Sequence, residues 1–252
     1  MRVAALLLAV LVLAGCHKPI HEPKTDASTR TEQVVLKAAD GVEVFGTYSE
    51  PEKPRGLILL FHQAGSGQGE YLTIVPRLAA QGFATLTIDA RSGGDMFGGN
   101  WTVKKLGGER GYLEARQDLE AALAWAQARK LPVILWGSSY SASLSFLIAA
   151  DHPEVKALLA FSPGEYFDGK PAVAPAAAKL TMPVFVTSAQ DPGEIAAGKA
   201  LIDAVPAANK RQFVPVKGGA HGSSTLIAAK NPGAEDAWSA VLAFLDSAVP
   251  RP

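Results

Sequence analysis

The sequence predicts an α/β fold: a mostly parallel sheet of about eight strands with helices on both faces and no large lid. Three observations carry this. Predominantly apolar runs, at residues 56–61, 83–89, 133–136 and 155–161, the first of them fully apolar, recur with helix-length segments between them, and such runs suit strands buried on both faces. Asp40-Gly41 separates two alternating segments, residues 33–37 and 42–48, which reads as a hairpin of antiparallel edge strands. The stretch from residue 33 to 250, with no internal repeat, suits one large domain.

Residues 1–15 fall outside that domain. Arg2 gives a positive start, and residues 3–14 form an apolar run of about a dozen residues, short for a bilayer span but suited to a signal-peptide core. Leu13-Ala14-Gly15-Cys16 follows and resembles a bacterial lipobox. Cys16 is the only cysteine in the 252 residues. A lone cysteine placed there is expected to be the lipidated, palmitate-bearing start of a membrane-anchored mature lipoprotein. His17 rather than Asp follows it, which favours the periplasmic side of the outer membrane in a Gram-negative cell envelope. Residues 16–32 are polar and contain proline, so they read as a tether.

Charge excludes one class of partner. The chain carries 24 Lys+Arg and 24 Asp+Glu, so nucleic acid is not expected to bind it. After the hairpin and the strand at 56–61, residues 71–81 read as a helix ended by Gly82, and 83–89 as the next strand. Residues 91–111 read as a long glycine-rich loop. Leu119, Leu123 and Ala126 give helical spacing over 114–129. The strand beginning at Val133 runs through a turn of small residues into an apolar, helix-length segment at 144–150. The strand at 155–161 precedes an Ala/Pro stretch at 171–179, read as a loop or short helix. Then come a strand at 184–187, a helix at 194–205, a strand at 212–216 and a last helix at 234–248.

The chemistry centres on Gly137-Ser138-Ser139-Tyr140-Ser141, between strand and helix. It is one substitution from the Gly-x-Ser-x-Gly elbow, which lifts a serine above the end of a buried strand. Ser139 is therefore the candidate nucleophile. It needs a base and a group that orients the base. Of the five histidines, His17 and His21 fall in the tether and His152 at a helix end. His221 stands in Lys217-Gly218-Gly219-Ala220-His221-Gly222, after the last strand and at the same sheet edge as Ser139. Asp191 follows the strand at 184–187, again at that edge, and is the expected acid; Glu165 and Asp168, after the preceding strand, are the alternatives. The order Ser139, Asp191, His221 is that of an α/β-hydrolase sheet. No metal-ligand spacing and no P-loop lysine appears, so neither a metal nor another cofactor is expected.

With these motifs the chain resembles the α/β-hydrolase superfamily from about residue 33 to 249, closest to its dienelactone-hydrolase-like and small lidless esterase members. Asp89-Ala90-Arg91-Ser92-Gly93-Gly94 matches a loop such enzymes carry. It departs at Ser141, where the family has glycine, and at Gln63 in His62-Gln63-Ala64-Gly65. The resemblance implies an oxyanion hole from the backbone N–H groups of Gln63 and Tyr140. The His62 imidazole is expected to brace its loop, and His62 and Trp101 are expected to border the substrate pocket, Trp101 as an apolar wall. With its only cysteine at position 16, the chain has no thiol nucleophile. The activity implied is hydrolysis of small-molecule carboxylic esters of short to medium acyl length, through a Ser-Asp-His triad and an acyl-enzyme. Thioesterase or peptidase activity, or an inactive hydrolase-fold scaffold lipoprotein, are the alternatives. The oligomeric state is not legible.

Overall fold

The structure, a computed structural model, describes residues 29–251. The predicted leader, the lipidation site Cys16 and most of the predicted tether lie outside the described residues. The strands are β1 (Arg30–Lys37), β2 (Glu43–Glu50), β3 (Gly56–Phe61), β4 (Phe83–Ile88), β5 (Val133–Ser138), β6 (Ala157–Phe161), β7 (Val184–Thr187) and β8 (Lys210–Phe213). They form one sheet in the order β1-β2-β4-β3-β5-β6-β7-β8. β1 with β2 and β2 with β4 are antiparallel, and every other pair is parallel. The wholly apolar runs became the strands buried along their full length, β3 and β6 among them.

The helices are α1 (Val75–Ala79), α2 (Trp101–Leu106), α3 (Arg116–Gln127), α4 (Tyr140–Asp151), α5 (Val173–Ala177), α6 (Pro192–Ala204) and α7 (Ala234–Ala248). Side chains of α3 to α6 pack into one apolar core. Those of α1 and α7 pack into the other, including Leu78, Trp238 and Phe244. The sheet lies between the two, because side chains alternate faces along each strand: Leu57 and Leu59 of β3 join the first core, Ile58 and Leu60 the second. Between β6 and β7 the helix is only the short α5, and no large lid is built.

Four elements differ from expectation. β1 starts at Arg30, inside the predicted tether, because Arg30 pairs in register with Glu50 and Thr31 Oγ1 meets Ser49 Oγ at 3.2 Å. The predicted helix at 71–81 is split into a 3-10 turn (Gln68–Tyr71) and α1; Pro76, lacking an N–H, is accommodated in the first turn of α1 rather than in a helix interior. The predicted loop at 91–111 contains α2, capped by the Asn100 side chain accepting from Val103 N–H at 2.8 Å and closed by Gly107 at φ 73°. β8 lies earlier than the predicted 212–216, with exposed Lys210 and Arg211 in it. Charged residues are common on edge strands, where they discourage further pairing.

Candidate active site

Six loops leave the C-terminal edge of the parallel strands, and the predicted site residues stand in them. Ser139 joins β5 to α4 with φ 61° and ψ −126°. A residue at such φ is strained by about 1–3 kcal/mol, and Ser139 N–H holds it by donating to Phe161 O, at the end of neighbouring β6, at 2.8 Å. Close packing surrounds it: a Cβ on Gly137 would overlap the Ala142 backbone. Ser141, the departure from glycine, is put to use. Its Oγ donates to Phe61 O at 2.7 Å and accepts Ser138 N–H at 2.9 Å, tying β3 to the elbow.

His221 and Ser139 share no hydrogen bond in this structure, but bonds of their neighbours bring the two loops together. Gly222 N–H donates to Ser162 Oγ and Ser223 N–H to Ser138 Oγ, each at 2.9 Å. The Tyr166 hydroxyl, which donates to Ser162 O at 2.9 Å, lies on the same side. Burial pushes its pKa up, and a contact with the Ser139 hydroxyl pulls it back.

The acid against His221 is Glu194, which corrects the expectation of Asp191. His221 Nδ1 lies 2.8 Å from Glu194 Oε1, and Glu194 Oε2 accepts Ala189 N–H at 3.0 Å. Asp191 is the N-cap of α6, its Oδ1 accepting Glu194 N–H at 3.0 Å. The sequence held the signal: Asp191-Pro192-Gly193-Glu194 has the spacing of a capping box, which assigns its first residue to a helix start. Of the alternatives, Glu165 caps α5 through Ala172, Val173 and Ala174 N–H groups, and Asp168 is exposed. Burial raises the Glu194 pKa, yet hydrogen bonds from His221, Ser162 and Ala189 outweigh it and hold the carboxyl at about 2. The bond to Glu194 raises the His221 pKa above its usual value, against burial.

The loop after β3 also departs from expectation. Gln63 N–H is taken: it donates to Glu70 Oε2 at 2.9 Å. Among the described residues, the N–H groups of Ala64 and Tyr140 have no acceptor. Gln63 O is held by His62 Nδ1 at 2.7 Å and by Ser66 N–H at 3.3 Å, and in a trans peptide the following N–H points the opposite way. Ala64 N–H is thus a free donor of this loop, in place of Gln63 N–H. The Gln63 side chain instead turns to the loop after β4, its Nε2 at 3.5 Å from Met96 Sδ.

His62 does not border a pocket. It is 0 % exposed, with Nε2 accepting Ala90 N–H at 2.9 Å, so it braces the loops after β3 and β4. Burial lowers its pKa, in keeping with a neutral ring. Trp101 is 59 % exposed with Lys104 Nζ 4.6 Å above its ring. It lines a cavity of about 560 Å³ with Asp95, Asn100 and Val103. Ser139, Glu194 and His221 do not line that cavity, so Trp101 is not a wall of the elbow site. The aromatic that sequence reasoning missed is Tyr112, stacked on Tyr140 at 4.5 Å and partly exposed. Among the described residues no three of His, Cys, Asp and Glu converge as a metal-ligand set.

Comparison with known proteins gives the family and the fold. The family described as serine aminopeptidase, S33 (Hydrolase_4) matches residues 52–205. No curated protein sequence matches the chain. Among solved structures, the chain is similar to dienelactone hydrolase from Anabaena variabilis, at 18% identity and TM-score 0.69, over 88% of this chain and 99% of that one. It is similar to the Pyrococcus furiosus esterase Pf2001 at 16% identity and TM-score 0.68, over 88% and 94%. A cold-adapted esterase from an Arctic intertidal metagenomic library matches at 20% identity and TM-score 0.63, over 88% and 95%.

Proposed function

The chain belongs to the Hydrolase_4 (serine aminopeptidase, S33) family, and from that premise we propose that it hydrolyses small carboxylic esters with Ser139 as nucleophile. The observation that carries the proposal is the left-handed backbone of Ser139 at the β5–α4 junction, φ 61°, a strained conformation that tends to persist at functional sites. His221 is the base. Its Nδ1–H is donated to Glu194, which leaves Nε2 to take the Ser139 proton as Oγ attacks the carbonyl carbon. Ala64 and Tyr140 N–H groups receive the negative charge that develops on the carbonyl oxygen. The alcohol leaves with the proton from His221, and water then hydrolyses the acyl-enzyme by the same route.

An ester is favoured over a peptide substrate by the acids of the site. An aminopeptidase needs a carboxylate to hold the substrate's free amino group. Glu194 is bound to His221, Glu70 is buried, and Glu165 and Asp191 cap helices, so these four are committed elsewhere.

A fluorophosphonate probe tests the proposal, because it labels only an activated serine. The adduct should map to Ser139, and Ser139→Ala should lower kcat on p-nitrophenyl butyrate by about 10⁶ with the fold intact. An adduct on Ser138, Ser141 or Ser143, or activity surviving Ser139→Ala, would overturn it.

Anchoring to the cell envelope through a lipidated Cys16 is part of the same proposal and rests on Leu13-Ala14-Gly15-Cys16. Full-length protein should fractionate with membranes and Cys16→Ser should not; a soluble wild type contradicts the anchor.

A further inference from the structure

Glu70 is a buried carboxylate that the proposed chemistry leaves unused. It is 1 % exposed, and its partners are hydrogen-bond donors rather than cations. Oε2 accepts Gln63 N–H at 2.9 Å and Oε1 accepts Ser138 O–H at 2.6 Å. Burial raises its pKa while these bonds lower it. Burying a carboxylate costs the fold unless it is hydrogen-bonded, and the bonds to both oxygens offset that cost here.

We infer that Glu70 is a positioning residue for acyl transfer, setting the oxyanion donor through Gln63 and the base-bearing turn through Ser138. The inference rests on the acyl-transfer reading of the site. The first arm acts on the loop after β3. Gln63 has its N–H held by Glu70 and its C=O held by His62 Nδ1 and Ser66 N–H. With both groups of one residue fixed, the next N–H, that of Ala64, has a fixed direction. The second arm acts on the turn after β8. Ser138 gives its one hydroxyl hydrogen to Glu70, which leaves its oxygen lone pairs to accept Ser223 N–H at 2.9 Å. The far side of Ser223 is pinned by Trp136 Nε1–H, which donates to Ser223 Oγ at 2.9 Å. His221 lies two residues before Ser223. Gly222, between them, rests so close on Ser138 that a Cβ would overlap Ser138 Oγ.

Only a carboxylate serves both arms. It accepts on both oxygens, whereas a glutamine amide has one acceptor and would set its NH₂ against either Gln63 N–H or the Ser138 hydroxyl hydrogen. One buried side chain thus ties β3, β5 and the 3-10 turn at Gly222–Leu226 into a single arrangement beneath the reacting atoms.

Glu70→Gln and Glu70→Ala in the full chain test this, with p-nitrophenyl butyrate as substrate and kcat counted per site titrated to completion with a fluorophosphonate. Because oxyanion donors act on charge that develops only in the transition state, kcat per site should fall about 100-fold in Glu70→Ala and about 10-fold or more in Glu70→Gln, with KM within about threefold. The Tm of Glu70→Gln should fall, because its amide sets one buried donor against another, and counting kcat per titrated site separates that loss from a loss in turnover. If both variants keep kcat per titrated site within about threefold of wild type, Glu70 is merely structural and the inference falls. The same holds if their losses lie wholly in the fraction of sites that titrate. Ser139→Ala, run alongside, separates the two readings. A wild type that turns over no ester defeats the proposed function itself. A wild type that turns over ester, a dead Ser139→Ala and fully active Glu70 variants defeat only the role of Glu70.

Discussion

At Glu194 burial and hydrogen bonding pull in opposite directions, and the bonds win, so the carboxylate beside His221 stays charged down to about pH 2. The consequence falls on His221, whose pKa is raised above 6.5 first by that bond, against burial, and also by the nearby charge of Glu70. Catalysis needs the neutral ring. The acid limb of kcat/KM should therefore have its midpoint above 6.5, and Glu194→Gln should move that midpoint down; a limb below 6.5 in the wild type would contradict the pairing. The stability sign is the reverse. A raised histidine pKa contributes stability below 6.5 that is lost as pH rises through the folded value, so activity appears as that contribution fades. Ser139 and His221 were legible because small residues and glycines mark sharp turns at the sheet edge. The acid was not, because Asp191 directly follows its strand whereas Glu194 lies in the first turn of α6, and only the capping spacing of the two assigns Asp191 to the helix start. Gln63 was misassigned because its N–H is claimed by Glu70, seven residues on, which no local pattern displays.

The elements fix these residues through contact rather than through propensity. The elbow exists because β5 and α4 nearly touch at Gly137, where any Cβ would overlap the Ala142 backbone. Overpacking of this kind costs about 1–3 kcal/mol or more, so Gly137→Ala should lower Tm by about 2–12 °C, read by thermal melting; an unchanged Tm would mean that the junction has room. Ser141 makes the neighbouring close approach productive by bonding β3 to β5, which explains why serine stands where the family pattern has glycine. The long apolar strands were legible from composition alone. Short or charged elements were not: α2 is hidden among glycines although Asn100 and Gly107 cap it, and β8 carries Lys210 and Arg211 at an edge, where alternation of apolar residues fades.

Across the whole molecule, the parallel order β4-β3-β5-β6-β7-β8 gathers the loops after β3, β5, β7 and β8 at one edge, so residues far apart in sequence meet there. With only α5 between β6 and β7 and no large lid, the edge stays open. An open site buries few methylenes, each contributing about 0.8 kcal/mol. kcat/KM should then peak among acetyl to hexanoyl esters, and a continued rise to palmitoyl esters would reveal an enclosed tunnel. The central claim is that this edge unites Ser139, His221 and Glu194 as one catalytic unit. The most direct measurement is kcat/KM of Glu194→Gln beside Asp191→Asn on the same short ester. The account predicts that Glu194→Gln loses about 10⁴ while Asp191→Asn stays within about tenfold of wild type, because asparagine caps a helix as well as aspartate. Loss in Asp191→Asn with near-normal turnover in Glu194→Gln would contradict it.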